Sequence, residues 1–173
     1  LHVDDRIRNG GSILADGTLE ANTGELVQDG KVSGRKGVTA KSDTFISGKG
    51  AQTLSAGDIT INTQRTADIA GAVNARRALA LNSGTLNTDT TARLQGQNVD
   101  LTATKATLNG TQAAKQALSV KADTLAHGGK SSAEKVTLKA ADTLNNGGTV
   151  TATDLALESG NLTNSGLFQG TGS

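Results

Sequence analysis

Cysteine, proline, methionine, tryptophan and tyrosine are all missing from this 173-residue chain, and only two phenylalanines are present. Without cysteine there is no disulfide, no zinc–thiolate site and no thiol nucleophile. That absence assigns no compartment by itself, since a protein exported unfolded through a narrow pore also gains from lacking crosslinks. Large aromatic side chains bury about 150–250 Å² each, and without them the wide centre of a compact globule is hard to fill. A core of Leu, Val, Ile and Ala suits a narrow interior of constant cross-section instead. An excess of one charge is missing too. The 17 basic and 16 acidic residues are interspersed, leaving a net charge of +1 and no field for nucleic acid. The densest basic groups are Lys31, Arg35, Lys36 and Lys41, then Arg76-Arg77, and no aromatic side chain lies among them on which a base could stack. No apolar run approaches the roughly 18–20 residues that span a bilayer. No signal peptide is visible, and the chain starts with Leu1. Both ends fall in the middle of a pattern, so the expected organisation is one repeat domain, residues 1–173, within a longer array.

What is present is a period. An apolar pair spaced by one residue recurs at Leu1/Val3, Leu19/Ala21, Val38/Ala40, Ile59/Ile61, Leu79/Leu81, Val99/Leu101, Leu118/Val120, Val136/Leu138 and Leu155/Leu157. A repeat of 18–21 residues running from end to end marks a solenoid. Disorder is the competitor for a polar, Gly-rich chain, but disordered segments carry high net charge and no apolar periodicity. Helix competes between Ala113 and Ala141, yet the apolar residues there lack i, i+3, i+4, i+7 continuity. Neither the leucine-rich pattern LxxLxLxxN nor the calcium-binding repeat GGxGxDxUx occurs.

The coil Val136–Asp154 illustrates the unit. Val136 and Leu138 alternate with Thr137 and Lys139, as in a half-buried strand. Leu144 opens a second inward site, Asn145-Asn146-Gly147-Gly148 reads as a turn because Asn and Gly tolerate positive φ, and Val150 faces inward from a third strand. The next coil repeats the pattern with Leu155, Leu157 and Leu162. In earlier coils the middle inward site is read as Val27, Ile46, Ile69, Leu86, Leu108 and Leu125. The last strand is read as Ile13, Val32, Leu54, Val73, Leu94, Ala113 and Ala133. The expected fold is all-β, a right-handed parallel β-helix of about nine coils with three short strands each. Stacked at about 4.8 Å, nine coils span roughly 43 Å.

The segments LADGTLEANTGELVQDGKVSG, VTLKAADTLNNGGTVTATD and LALESGNLTNSGLFQGTG resemble the shaft repeats of the filamentous haemagglutinin family. These are the large exoproteins of Gram-negative two-partner secretion, contact-dependent inhibition effectors among them. The resemblance covers essentially the whole chain, with drift in the middle coils. It implies a secreted or cell-surface filament that passes an outer-membrane transporter unfolded and folds outside. The partners it implies are further coils, that transporter, and a host or target-cell surface.

Chemistry is thin. His2 and His127 lie in the first and seventh coils, roughly 29 Å apart along the axis at one layer per coil, and both are expected at the surface. The nine Asp residues from Asp29 to Asp154 fall at different coil offsets. No paired carboxylates or long loops form the cleft of a polysaccharide-cleaving β-helix. Thr102-x-Thr104 and Thr151-x-Thr153 do not align into an ice-binding rank. The sequons at Asn109 and Asn161 are what a chain rich in Asn and Thr produces by chance. Asn9, Asn109, Asn145 and Asn164 share a turn offset, which points to a structural role. No catalytic, metal or cofactor residue is identified. The expected function is that of a non-catalytic shaft. The alternative is an adhesive module that recognises a glycan or receptor through Arg65, Arg76, Arg77 and Arg93 in the irregular middle coils.

Overall fold

The computed structural model describes residues 1–172, and all of their regular structure is β-strand. The strands are β1 (His2–Asn9), β2 (Ser12–Ala15), β3 (Thr18–Gln28), β4 (Lys31–Gly34), β5 (Gly37–Ser47), β6 (Gln52–Ser55) and β7 (Asp58–Ile69). They continue as β8 (Ala72–Ala75), β9 (Ala78–Thr88), β10 (Arg93–Leu108), β11 (Thr111–His127), β12 (Lys130–Asn146), β13 (Thr149–Asn164) and β14 (Leu167–Gly170). Every pairing is parallel and joins a residue to its counterpart one coil later. Val38 thus lies beside Ile59, then Leu79, Val99, Leu118, Val136 and Leu155. The result is a parallel β-solenoid of about nine turns.

Each turn contributes to three ladders. The first runs through β2, β4, β6, β8, the openings of β10 to β13, and β14. The second and third are the two halves of each long strand, separated by a bend where the register slips, as between Asn62 and Thr66. In the second ladder two apolar residues per coil face inward. Val38 and Ala40, Ile59 and Ile61, Leu79 and Leu81, and Val136 and Leu138 are all buried. A small residue follows at the bend: Thr23, Ser42, Thr63, Ser83, Ala103, Ala122 and Ala140. Larger side chains there would hold the two strands apart.

The other two ladders depart from the sequence reading. In the third, Leu26 and Phe45 point inward and Val27 and Ile46 do not. In the first, Thr53, Gln112 and Ser131 occupy the core position, in line with Val73, Leu94 and Val150, so Leu54 and Ala113 are each one residue off, while Ala133, two residues past Ser131, faces inward and packs partly buried against the core. Successive residues on a strand face opposite sides, so a slip of one residue inverts the assignment. Val136, Leu138, Leu144 and Val150 are fully buried. Leu155 is half-buried, whereas Leu157 and Leu162 are 38% and 50% exposed. The last two keep the core register beside Leu138 and Leu144, but no described coil stacks over them.

The glycine corners also work differently from expectation. No described residue has positive φ, so the turns do not rely on left-handed backbone. They rely on close approach. At Gly30, Gly129, Gly148 and Gly166 an added Cβ would collide with the carbonyl oxygen of the preceding coil: Gly11, Gly110, Gly129 and Gly148 in turn. Each of those carbonyls accepts from the residue after the glycine above it, for example Lys130 N to Gly110 O at 2.9 Å and Thr149 N to Gly129 O at 2.9 Å. Glycine lets coils meet at hydrogen-bonding distance at this corner. Two coils replace it by longer loops, Gly48–Ala51 and Asp89–Ala92. Each loop closes on itself through a 3.0 Å bond, Ala51 N to Gly48 O and Ala92 N to Asp89 O.

Candidate functional site

Titratable side chains do not converge. Among the described residues no three His, Cys, Asp or Glu side chains come close enough to hold a metal ion. His2 is exposed and lies 3.4 Å from Asp4. His127 is not at the surface, contrary to the sequence expectation. It is 2% exposed and sits at the end of the third ladder, in the column that holds Leu108 one coil before and Asn146 one coil after.

That column is largely polar although it faces inward: Asn9, Gln28, Ser47, Thr88, His127 and Asn146 are all buried. The Ser47 hydroxyl has no hydrogen-bond partner among the described residues, but the others bond along the axis. Gln112 Nε2 reaches Thr88 Oγ1 at 3.5 Å, and Ser131 Oγ donates to Gln112 Oε1 at 3.0 Å. His127 Nε2 meets Ser131 Oγ at 2.8 Å, and its Nδ1 meets Asn146 Oδ1 at 2.7 Å. Asn146 Nδ2 donates to Asn164 Oδ1 at 2.8 Å. Since that amide nitrogen is committed as a donor, Asn146 Oδ1 is an acceptor, and the proton of neutral His127 belongs on Nδ1. Burial holds the imidazole below the ordinary histidine range, and the Asn146 bond offsets part of that shift. A second cluster closes the column at the other end, where Asn9 Nδ2 donates to Gln28 Oε1 at 2.8 Å. Asn9 and Asn164 therefore do share a structural role, but their partner in the third coil from the end is Asn146; Asn145 points outward.

Of the grooves on the outer surface, one is flanked by two projecting loops. The loops Gly48–Ala51 and Asp89–Ala92 project from coils two apart and flank an open groove of about 620 Å³ that runs past the second loop to Thr107 and Asn109. Its floor is the outward column of the third ladder: Ile46, Asp68, Asn87 and Thr107, one residue per coil. Asn87 Nδ2 donates to Asp68 Oδ1 at 2.7 Å, which fixes both groups. On the wall, Asp89 Oδ1 accepts from Thr90 Oγ1 at 2.8 Å, and Thr91 Oγ1 is tied to Ala70 O at 2.8 Å. The Thr90 hydroxyl, the Thr91 amide and the Lys49 ammonium hold the Asp89 carboxyl below its usual range. Sequence reading missed the groove because only the 21- and 20-residue intervals of these coils hinted at it. Two extra residues at a corner change no motif.

The four arginines of the candidate binding face are spread around the coil. Arg65 lies at the bend between second and third ladders, 3.3 Å from Asp43. Arg76 and Arg77 lie between β8 and β9, and Arg93 opens β10 beside Ala72. All four are exposed, and no ladder aligns them.

Comparison with known proteins agrees with this architecture. The sequence profile of the haemagglutinin repeat matches residues 1–65, 49–123 and 113–167. Over 131 residues, 75% of this chain, it is 34% identical to a tRNA nuclease CdiA of Escherichia coli strain STEC_O31. Over the same length it is 33% identical to a toxin CdiA of Escherichia coli and to a tRNA nuclease CdiA of Escherichia coli O6:K15:H31. The match covers 4% of the length of each of these relatives. No solved structure matches.

Proposed function

This chain belongs to the haemagglutinin-repeat family of secreted and cell-surface exoproteins of Gram-negative bacteria, and from that premise we propose that it is a non-catalytic shaft segment. It spaces a distal adhesive or toxic portion away from the producing cell. The observation that carries this reading is the unbroken stacking of about nine coils around a narrow aliphatic core. Such a stack resists bending because every coil is hydrogen-bonded to the next. Its length is set by coil number rather than by residue chemistry. The lack of convergent titratable groups supports a mechanical role over a catalytic one. The scatter of the four arginines favours a shaft over a receptor face.

The segment is one domain within a longer array. Val3 at one end, beside inward Thr23, and Leu157 and Leu162 at the other, beside Leu138 and Leu144, are large apolar side chains exposed on the outermost coils. Coils of the same kind stacked on both ends would cover them. During export, an outer-membrane transporter passes the chain unfolded, and the absence of cysteine suits that route. No helix of the described chain is long and apolar enough to cross a membrane.

Replacing this segment, in the exoprotein that carries it, by the same number of coils from elsewhere in that protein tests the reading. Display of the distal portion at the cell surface, followed by antibody binding, should be retained. Loss of display after an equal-length exchange would contradict a spacer. Hydrolysis of RNA or of a polysaccharide panel by the isolated segment would contradict the non-catalytic part.

A further inference from the structure

We propose that the groove between the Gly48–Ala51 and Asp89–Ala92 loops binds an uncharged, hydroxyl-rich ligand, a short stretch of a neutral glycan, from the side of the rod. This goes beyond the shaft reading and leaves it intact, since a spacer can carry a lateral site. The groove is the place where the solenoid departs from its own rule. Seven corners turn through a glycine or its neighbour, and only these two carry projecting loops. At one coil per 4.8 Å the walls stand roughly 10 Å apart. The open groove has a volume of about 620 Å³, of the size of ligand clefts.

The chemistry of the lining selects the ligand. The Asp68–Asn87 bond uses Oδ1 of the carboxylate and the amide nitrogen, and no described residue supplies a partner for Asp68 Oδ2 or Asn87 Oδ1. Both residues line the groove, and their mutual bond holds the pair in place. Asp89 on the wall keeps further lone pairs, and Asn109 and Thr107 extend the polar floor. The side is therefore rich in acceptors, so a ligand must arrive with donors. Hydroxyl groups fit, and each would find a preoriented acceptor rather than a flexible one. Two carboxylates against the single Lys49 leave the lining acidic, which repels sulfated, phosphorylated or carboxylated polymers. Ile46, Ile69 and Ala70 give the lining an apolar part for the C–H face of a sugar ring. A divalent cation is disfavoured, since the described residues offer no cluster of three ligating side chains and Lys49 opposes it.

The test uses the chain itself, labelled with 15N, titrated with maltotriose, cellotriose and a lactose-based trisaccharide, and separately with heparin as the anionic comparator. The expected result is a saturable shift of the Asp68, Asn87, Asp89 and Thr90 amides with at least one neutral trisaccharide and none with heparin. Asp68→Ala and Asn87→Ala should each weaken that binding tenfold or more. Both side chains lie on the outer face, and the amide spectrum reports directly that the coils stay folded. Deleting Lys49 and Gly50 removes one wall without touching the floor and should abolish the shifts. Thr124→Ala, on the outer face of a coil beyond the groove, should leave them unchanged. Failure of all three trisaccharides to shift these amides would overturn the proposal. So would binding that survives both the floor and the wall variants, or a preference for heparin. Retained surface display after the coil exchange would still support the shaft reading in each of those cases.

Discussion

His127 fills the same place in its coil that Leu108 fills one coil earlier and Asn146 one coil later. An imidazole buried there is stable because its two nitrogens face Asn146 Oδ1 and Ser131 Oγ. The single Ser131 hydroxyl proton serves either neutral Nε2 or Gln112 Oε1; if a proton arrives, Nε2 donates to Ser131 Oγ and that hydroxyl is released to Gln112. Every polar atom then has a partner, and the remaining cost is the burial of charge. The folded histidine is thus a weaker base than the unfolded one, whose pKa is about 6.5. Its contribution to stability is complete above that value and is lost as pH falls through the folded value. Wild type should therefore lose more melting temperature than His127→Gln between pH 7.5 and pH 5, with glutamine chosen because Gln28 occupies the same column. Parallel losses in the two proteins, followed by circular dichroism, would show that the histidine is not buried as described. Two neighbouring residues make a second test. Leu138 is fully buried and Thr137 points outward. Leu138→Asp should cost at least several kcal/mol, the penalty of an unpaired buried charge or of the pKa shift that avoids it. Thr137→Asp should stay within about 1 kcal/mol. Equal losses in chemical denaturation would mean the inward and outward faces are reversed.

At the scale of strands and corners, the second ladder was legible in the sequence from the second coil on, because its two inward sites are apolar there; in the first coil Val3 lies beside Thr23 rather than Ala21. Val136 and Leu138 stand for all of them. The other two ladders were only partly legible. There the inward sites include Thr53, Gln112, Ser131, Gln28 and Ser47, while apolar Val27, Ile46 and Leu54 lie next door. Choosing the nearest apolar residue shifts the register by one, and period-two structure turns that shift into the wrong face. Gln28, Gln112 and Ser131 hold such sites through bonds to neighbouring coils, and small Thr53 and Ser47 hold theirs with hydroxyls that have no partner, neither of which a single repeat reveals. The glycines were visible, but the reason for them was not. They were read as residues that permit positive φ; they are there because stacked coils leave no room for Cβ. Gly129→Ala should accordingly cost more than about 2 kcal/mol, since the coil must separate from the carbonyl of Gly110. Gly50→Ala, in open space on a loop, should change stability by less than about 0.5 kcal/mol. If thermal melts showed the two substitutions to be equivalent, close stacking at this corner would be refuted.

For the molecule as a whole, each coil touches only its neighbours, so stability and length both add up coil by coil. The aliphatic core, the small residues at the bends and the glycine corner repeat from layer to layer, and only the two loops break the pattern. A rod of this kind reaches as far as its number of coils allows, which is the property a shaft needs. The candidate groove was not legible in the sequence, since its residues lie in four different coils and meet only after stacking. The most direct test of the central claim is to excise residues 99–154, joining Asn98 to Leu155 in the existing ladder register, and to compare small-angle X-ray scattering of the two chains. Three coils are removed, so the longest dimension should fall by roughly 14 Å while the cross-sectional radius stays the same. A particle that shrinks equally in all directions, or one that no longer folds, would contradict a stack of independent layers.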